Sequence, residues 1–149
     1  MTSSLPSAAL WLGVAGLTPF LATAGVVLLG PEGWGGFALG VHVSYAAAIL
    51  SFLGAVHWGL ALRAAAAEAW ATGRRLAFGV VPALIGWAAL LVPDAIGLAV
   101  LIAAFLAVWA AEEIAGRQGL VPLGYLWLRR GLTLVAVVAM SAVWTSLFA

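Results

Sequence analysis

Two histidines lie within one long apolar segment, residues 40–62, and they are the first candidates for chemistry in this sequence. His42 and His57 are 15 positions apart, which on a helix separates them by roughly 22 Å along the axis, so they cannot share one metal ion or one haem. An ionisable side chain inside a membrane span is costly and by default indicates a functional site. The alternative is a neutral histidine hydrogen-bonded to a serine or a carbonyl of a neighbouring helix. We favour that role for His42 and keep both interpretations open for His57.

A second group of polar residues is expected at the same membrane boundary as His57. Acidic residues end one apolar stretch and arginines begin the next, and such residues can pair across a helix bundle through bidentate hydrogen bonds. The alternative is that they are ordinary interfacial charges extending to the lipid headgroups. The predicted ligand pocket at this end consists of His57, Trp58, Arg63, Glu112, Glu113, Tyr125 and Arg129.

The composition shows what solvent must surround the chain. Of its 149 residues, 66% are hydrophobic and only 7% are charged, whereas about a quarter of a soluble domain is charged. Most of the surface must therefore face lipid. The net charge of +1 argues against nucleic-acid binding, and the absence of cysteine excludes disulfides and thiolate sites. No Ser/His/Asp spacing, di-histidine motif or phosphate loop is visible. The sequence thus predicts no catalytic residue, metal or cofactor, and it favours a non-enzymatic protein.

Five apolar stretches are long enough, or nearly so, to cross a bilayer, which takes roughly 17–25 residues. We therefore predict an all-α integral membrane protein, a five-helix transmembrane bundle forming one domain over residues 1–149. Pro19 should kink the first span, and residues 112–130 should form the longest polar connection. The predicted spans are residues 8–29, 37–62, 76–92, 95–111 and 131–148.

Arginine placement predicts the orientation. With five spans, every arginine falls on the side of the N-terminus, and the opposite side carries only Glu32, Asp94 and the terminal carboxylate as charges. The positive-inside rule then places the N-terminus in the cytoplasm and the C-terminus in the periplasm of a bacterial inner membrane. The six arginines are Arg63, Arg74, Arg75, Arg117, Arg129 and Arg130.

The second span has one face of large side chains and one of small ones. Small residues spaced three or four apart allow two helix backbones to approach closely in lipid. This face could pack against another span of the same chain, against a second copy or against another membrane-protein subunit. The predicted helix-packing residues are Gly40, Ser44, Ala47, Ser51, Ala55 and Gly59.

Three runs in the sequence carry a family resemblance: YAAAILSFLGAVHWGLAL, VVPALIGWAALLV and YLWLRRGLTLVAVVAMS. They resemble an uncharacterised family of small five-span proteins of proteobacterial inner membranes, which extends to a mitochondrial transmembrane protein of unknown role. The resemblance covers nearly the whole chain. It implies an acid at the end of the fourth span, matched by Glu112 or Glu113, and an aromatic-then-arginine segment, matched by Tyr125 and Arg129. Gly131 stands where members tend to have proline. The resemblance implies fold and location but no activity.

Two functions of different classes fit these features. The first is a non-enzymatic accessory or assembly subunit of an inner-membrane complex, supported by the small size, the short loops and the small-residue face. The second is a binding or transport protein for a lipophilic molecule such as a quinone or a lipid, with His57 near the entrance. Beyond the bilayer itself, the partners predicted are therefore other membrane-protein subunits or such a molecule, and no nucleic acid.

Overall fold

The computed structural model describes residues 6–149, and these residues form helices and turns without any strand. The predicted all-α fold class is confirmed. The helices are connected by short segments, one of which contains a single 3-10 turn at Ala66–Glu68. They are α1 (Ser7–Ala15), α2 (Thr18–Leu29), α3 (Gly35–Leu62), α4 (Ala69–Ala89), α5 (Asp94–Arg117) and α6 (Leu123–Ser146).

Helices α1 and α2 form one apolar unit with a break at Gly16 and Leu17. Pro19 lies in the first turn of α2, where its missing N–H removes no helical hydrogen bond. The Tyr45 hydroxyl of α3 donates to the carbonyl oxygen of Gly16 at 2.8 Å. The proline therefore starts a second helical segment, and α3 stabilises the break beside it.

Four helical units are long and apolar enough to cross a membrane: Ser7–Leu29, Gly35–Leu62, Asp94–Arg117 and Leu123–Ser146. The chain is therefore a multi-spanning membrane protein. Helix α4 has 21 residues, about 31 Å at 1.5 Å per residue, but Arg74 and Arg75 lower its mean hydropathy and it is not among the four. The crossing by residues 76–92 stays a prediction.

The long polar connection predicted over residues 112–130 is wrong. Helix α5 continues to Arg117 and α6 already begins at Leu123, so only residues 118–122 connect them. Gly119 in this turn has φ of +73°, a left-handed conformation that glycine adopts without strain. The charges at 112–130 did not end the helices because they pair with one another between α5 and α6.

Helix α3 lies at the centre of the bundle and contacts α2, α4 and α5. Its Leu50 is fully buried in an apolar core that the other helices complete. That core holds the large side chains Phe20, Leu98, Leu101, Phe105, Met140 and Val143.

The closest helix contact joins α3 to α4 through glycine. A methyl group placed on Gly54 would overlap the carbonyl oxygen of Gly79, and one placed on Gly86 would lie 3.0 Å from the carbonyl oxygen of Ala47. Of the predicted small face, Ala47 is buried, Gly40 and Ser51 are half-buried, and Ser44, Ala55 and Gly59 are exposed. Within the chain, Ala47 and Ser51 of the predicted face meet α4 at Gly86, and the closest contact lies at the flank of that face, on Gly54. Packing through the exposed members stays a prediction.

Candidate functional site

Glu112 is a fully buried carboxylate on α5. Two groups from the first turns of α6 donate to it: the Tyr125 hydroxyl to Oε1 at 2.9 Å and the Arg129 Nε to Oε2 at 2.8 Å. A buried charge is tolerated only when it is paired and hydrogen-bonded. The α5–α6 turn therefore positions an acid and an arginine whose charges balance inside the bundle.

His57 approaches the same carboxylate from α3. Its Nε2 lies 3.7 Å from Glu112 Oε1, just beyond hydrogen-bonding distance, and its ring meets Phe78 of α4 edge-on. We call Glu112, Tyr125, Arg129 and His57 the Glu112 cluster. Within residues 6–149, His57 Nε2 and Arg129 Nη2 are buried and have no hydrogen-bond partner. Since buried polar groups are nearly always hydrogen-bonded, both atoms can serve a ligand.

A second ion pair lies beside the first but faces outward. Arg130 donates to both oxygens of Glu113, at 2.7 and 2.8 Å, and its guanidinium stacks over Trp127. Both acid–arginine pairs are separated by 17 residues. Adjacent helical residues point about 100° apart, so one pair lies in the core and the other at the surface. Glu113 therefore does not join the cluster.

Two other predicted pocket residues point elsewhere. Trp58 turns towards α4, where its Nε1 donates to the carbonyl oxygen of Leu76 at 2.9 Å. Arg63 caps the C-terminus of α3, is exposed, and lines an open groove with Glu68 and Arg75. Of the seven predicted pocket residues, the structure brings together His57, Glu112, Tyr125 and Arg129.

Arg75 is a buried polar residue that sequence reasoning missed. Its Nη1 donates to Glu68 Oε2 at 2.8 Å, and its Nη2 donates to the carbonyl oxygen of Leu120 at 2.6 Å. The predicted span begins at residue 76 and therefore leaves Arg75 outside the helix. A helical spacing of three and four residues could have revealed the buried face, which consists of Ala71, Arg75, Gly79, Pro82, Gly86 and Ala89.

An apolar cavity of about 400 Å³ adjoins the Glu112 cluster and is lined by residues from α1, α2, α3, α5 and α6. Tyr125 and Arg129 are the polar side chains that line it. Its rim includes Leu12 and Phe52, which are exposed. The cavity therefore runs from the lipid-facing surface to the buried arginine. Other lining residues include Gly13, Phe20, Ile49, Phe105, Leu128 and Leu132.

His42 is fully buried and separate from this cluster. Its Nδ1 lies 2.7 Å from Thr23 Oγ1, and the same hydroxyl is 2.6 Å from the carbonyl oxygen of Pro19. The Thr23 hydroxyl has one proton and donates it to that carbonyl. Its oxygen therefore accepts a hydrogen bond from His42 Nδ1–H. Phe20 meets the imidazole edge-on. The Thr23 contact favours a packing role for His42, whose Nε2 has no hydrogen-bond partner among the described residues and lines neither of the cavities described here.

Known proteins resemble the chain at two levels. Residues 5–145 match the model of the family described as "Protein of unknown function (DUF3429)". The chain is also 40% identical over 92 residues to Transmembrane protein 69 of Xenopus tropicalis, an alignment that covers 60% of this chain and 34% of that protein. The match thus spans about a third of the relative's length. No solved structure matches the chain. The resemblance to an uncharacterised family related to a transmembrane protein is confirmed.

Proposed function

Because this chain belongs to the DUF3429 family, whose function is unknown, we propose its function from its own geometry: it binds a lipophilic molecule that carries a hydrogen-bond acceptor. The observation that carries the proposal is Arg129, which lines the apolar cavity and uses only its Nε in a hydrogen bond with any of residues 6–149. Small-molecule sites have volumes of roughly 300–1,000 Å³ and apolar walls with few polar groups. The cavity fits that description.

The Glu112 cluster leaves the Nη groups of Arg129 to a ligand. Glu112 already accepts from Tyr125 and from Arg129 Nε, which fixes the plane of the guanidinium. The donors that remain on the guanidinium are its two Nη groups, which have no partner among the described residues, and they suit an oxygen acceptor such as a quinone carbonyl. A ring at this depth would contact Phe20 and Phe105, and a tail would leave past the exposed Leu12 and Phe52. A quinone or a similar amphiphile meets these requirements.

A matched pair of leucine substitutions on α6 tests the cavity. Leu132 lines it, whereas Leu134 is exposed outside it. The full chain would be purified in mild detergent and incubated with a short-chain ubiquinone analogue, and bound quinone would be measured. We expect Leu132→Phe to lower affinity by at least about tenfold, a loss of about 1.4 kcal/mol, because the larger ring fills the site. Leu134→Phe should bind like the wild type.

Two outcomes would overturn this proposal. One is a wild-type protein that retains neither the added quinone nor another lipophilic molecule detectable by mass spectrometry. The other is an equal loss in both variants, which would mean that the leucine cavity does not hold the ligand.

An accessory role in an inner-membrane complex is the second candidate, and exposed small residues favour it. Ser44, Ala55 and Gly59 lie on one side of α3 without packing against the rest of the described chain, and small residues are typical of helix contacts in lipid. The same purification separates the two candidates. A defined partner subunit that comes down in stoichiometric amount favours the accessory role, and a partner-free protein with bound quinone favours the first.

We further propose a topology with five crossings, in which α4 also spans the bilayer and the N-terminus is cytoplasmic in a bacterial inner membrane. In support, the arginines lie at the end of α3, the start of α4, the end of α5 and the start of α6, which is one side of a five-span bundle. A reporter active only in the periplasm, fused after Ala149, should be active. Activity only when it is fused after Gly119 would reverse the orientation.

A further inference from the structure

We propose a second binding site, between α4 and α5, for the phosphate headgroup and one acyl chain of an anionic membrane lipid. A cavity of about 480 Å³ lies there, and it shares no lining residue with the cavity beside Arg129. His57 is at one wall, and Arg74, Arg75 and Gln118 are the other polar residues that line it. The site does not depend on the proposed quinone site, because its walls and its ligand are different.

The polar part of this cavity carries positive charge and no carboxylate. Arg75 is neutralised by Glu68, but Arg74 is exposed and makes no ion pair with any of residues 6–149. His57 lines the cavity while 5% exposed, and its Nε2 lies on the side of Glu112, so Arg74 is the group that offers the anion its charge. Arginine is well suited to phosphate oxygens because its planar guanidinium can donate two parallel hydrogen bonds. An anionic group is therefore the matching ligand.

The remaining wall of the cavity identifies the anion as part of a lipid. Most lining residues are apolar, and Trp70, Ala77 and Ile114 among them are exposed. Tryptophan is enriched at the membrane–water boundary, and basic pockets between transmembrane helices bind lipid headgroups. A phosphate at Arg74 would therefore have an acyl chain lying along Ile114 and Phe78. A free inorganic phosphate would leave that apolar wall unused.

Native mass spectrometry of the full chain in detergent tests the site. Phosphatidylglycerol and phosphatidylcholine with identical acyl chains would be added separately, and bound lipid would be counted. We expect the wild type to bind phosphatidylglycerol several-fold more than phosphatidylcholine. Arg74→Gln should remove this preference. Arg117→Gln makes the same change of charge at an exposed arginine outside the cavity and should keep it.

Further arms separate a specific lipid site from its alternatives. Ala77→Trp places a large side chain at an exposed position of the apolar wall, so it should lower binding of the lipid without unfolding the chain, as checked by circular dichroism. Equal binding of the two lipids would overturn the proposal. So would an equal loss in Arg74→Gln and Arg117→Gln. Displacement of phosphatidylglycerol by inorganic phosphate at similar concentration would also overturn it, since the acyl chain would then contribute nothing.

Discussion

Arg129→Leu should destabilise the folded protein by about 3–5 kcal/mol, because it leaves a buried carboxylate without its counter-charge. Glu112 is fully buried and would keep only the Tyr125 hydroxyl as a hydrogen-bond donor. Thermal unfolding of the detergent-solubilised chain, followed by circular dichroism, measures the loss. The double variant Glu112→Leu with Arg129→Leu should recover most of it, since apolar residues can replace a whole buried ion pair at little net cost.

The neighbouring ion pair provides the control for this prediction. Arg130→Leu removes the partner of Glu113 at the same sequence separation and on the same two helices. Arg130 and Glu113 are partly exposed, so water and headgroups can solvate the remaining charge, and we expect a much smaller loss. If Arg130→Leu cost as much as Arg129→Leu, burial would not be what makes the Glu112 cluster important for stability.

Gly54→Ala should be the most damaging single-methyl substitution in α3. The added carbon would overlap the carbonyl oxygen of Gly79 and lie 3.3 Å from Pro82 Cδ. Because backbone and a proline ring meet it, α3 and α4 must move apart. Overpacking of this kind costs about 1–3 kcal/mol. The thermal unfolding temperature in detergent should fall accordingly.

Gly59→Ala makes the same chemical change five positions later on the same helix, where nothing lies within 4 Å of the added carbon. Alanine is favoured over glycine inside a helix by roughly 0.5–1 kcal/mol. We therefore expect Gly59→Ala to leave stability unchanged or slightly increased. Equal loss in both variants would mean that the overlap with Gly79 is not what makes Gly54→Ala damaging.

Much of the fold followed from simple periodicity and length. Membrane spans are determined by apolar length, so the stretches around α1–α2 and α3 were found almost to the residue, and the proline-linked break was expected. The start of α4, the end of α5 and the start of α6 differ from the predicted bounds because a sequence-based prediction ends a membrane span at charged residues. Glu112 and Arg129 instead lie within α5 and α6, because each neutralises the charge of the other. Their contact forms only when the helices are packed together, so the sequence alone does not show it.

The candidate site was predicted in part for the same reason. His57, Glu112, Tyr125 and Arg129 were grouped by their shared membrane depth, which sequence can supply. The sequence does not give the rotation of each helix about its own axis in the bundle. That rotation decides that Glu112 faces the core while Glu113 faces outward. It also decides that Trp58 points away from the Glu112 cluster, which its neighbour His57 faces. The cavities depend on gaps between several helices, such as the one between α1 and α6 that Gly13 borders, and no local pattern encodes them.

The paired charges of α5 and α6 also bear on how the chain enters the membrane. Each helix alone would carry an unpaired charge that the folded bundle buries, Glu112 on α5 and Arg129 on α6, at a cost of several kcal/mol per charge. Both ion pairs join the same two consecutive helices, across a turn of residues 118–122. The insertion route of lowest free energy is therefore a hairpin of α5 and α6 in which both ion pairs have already formed. These two helices should then enter the bilayer together and not one after the other.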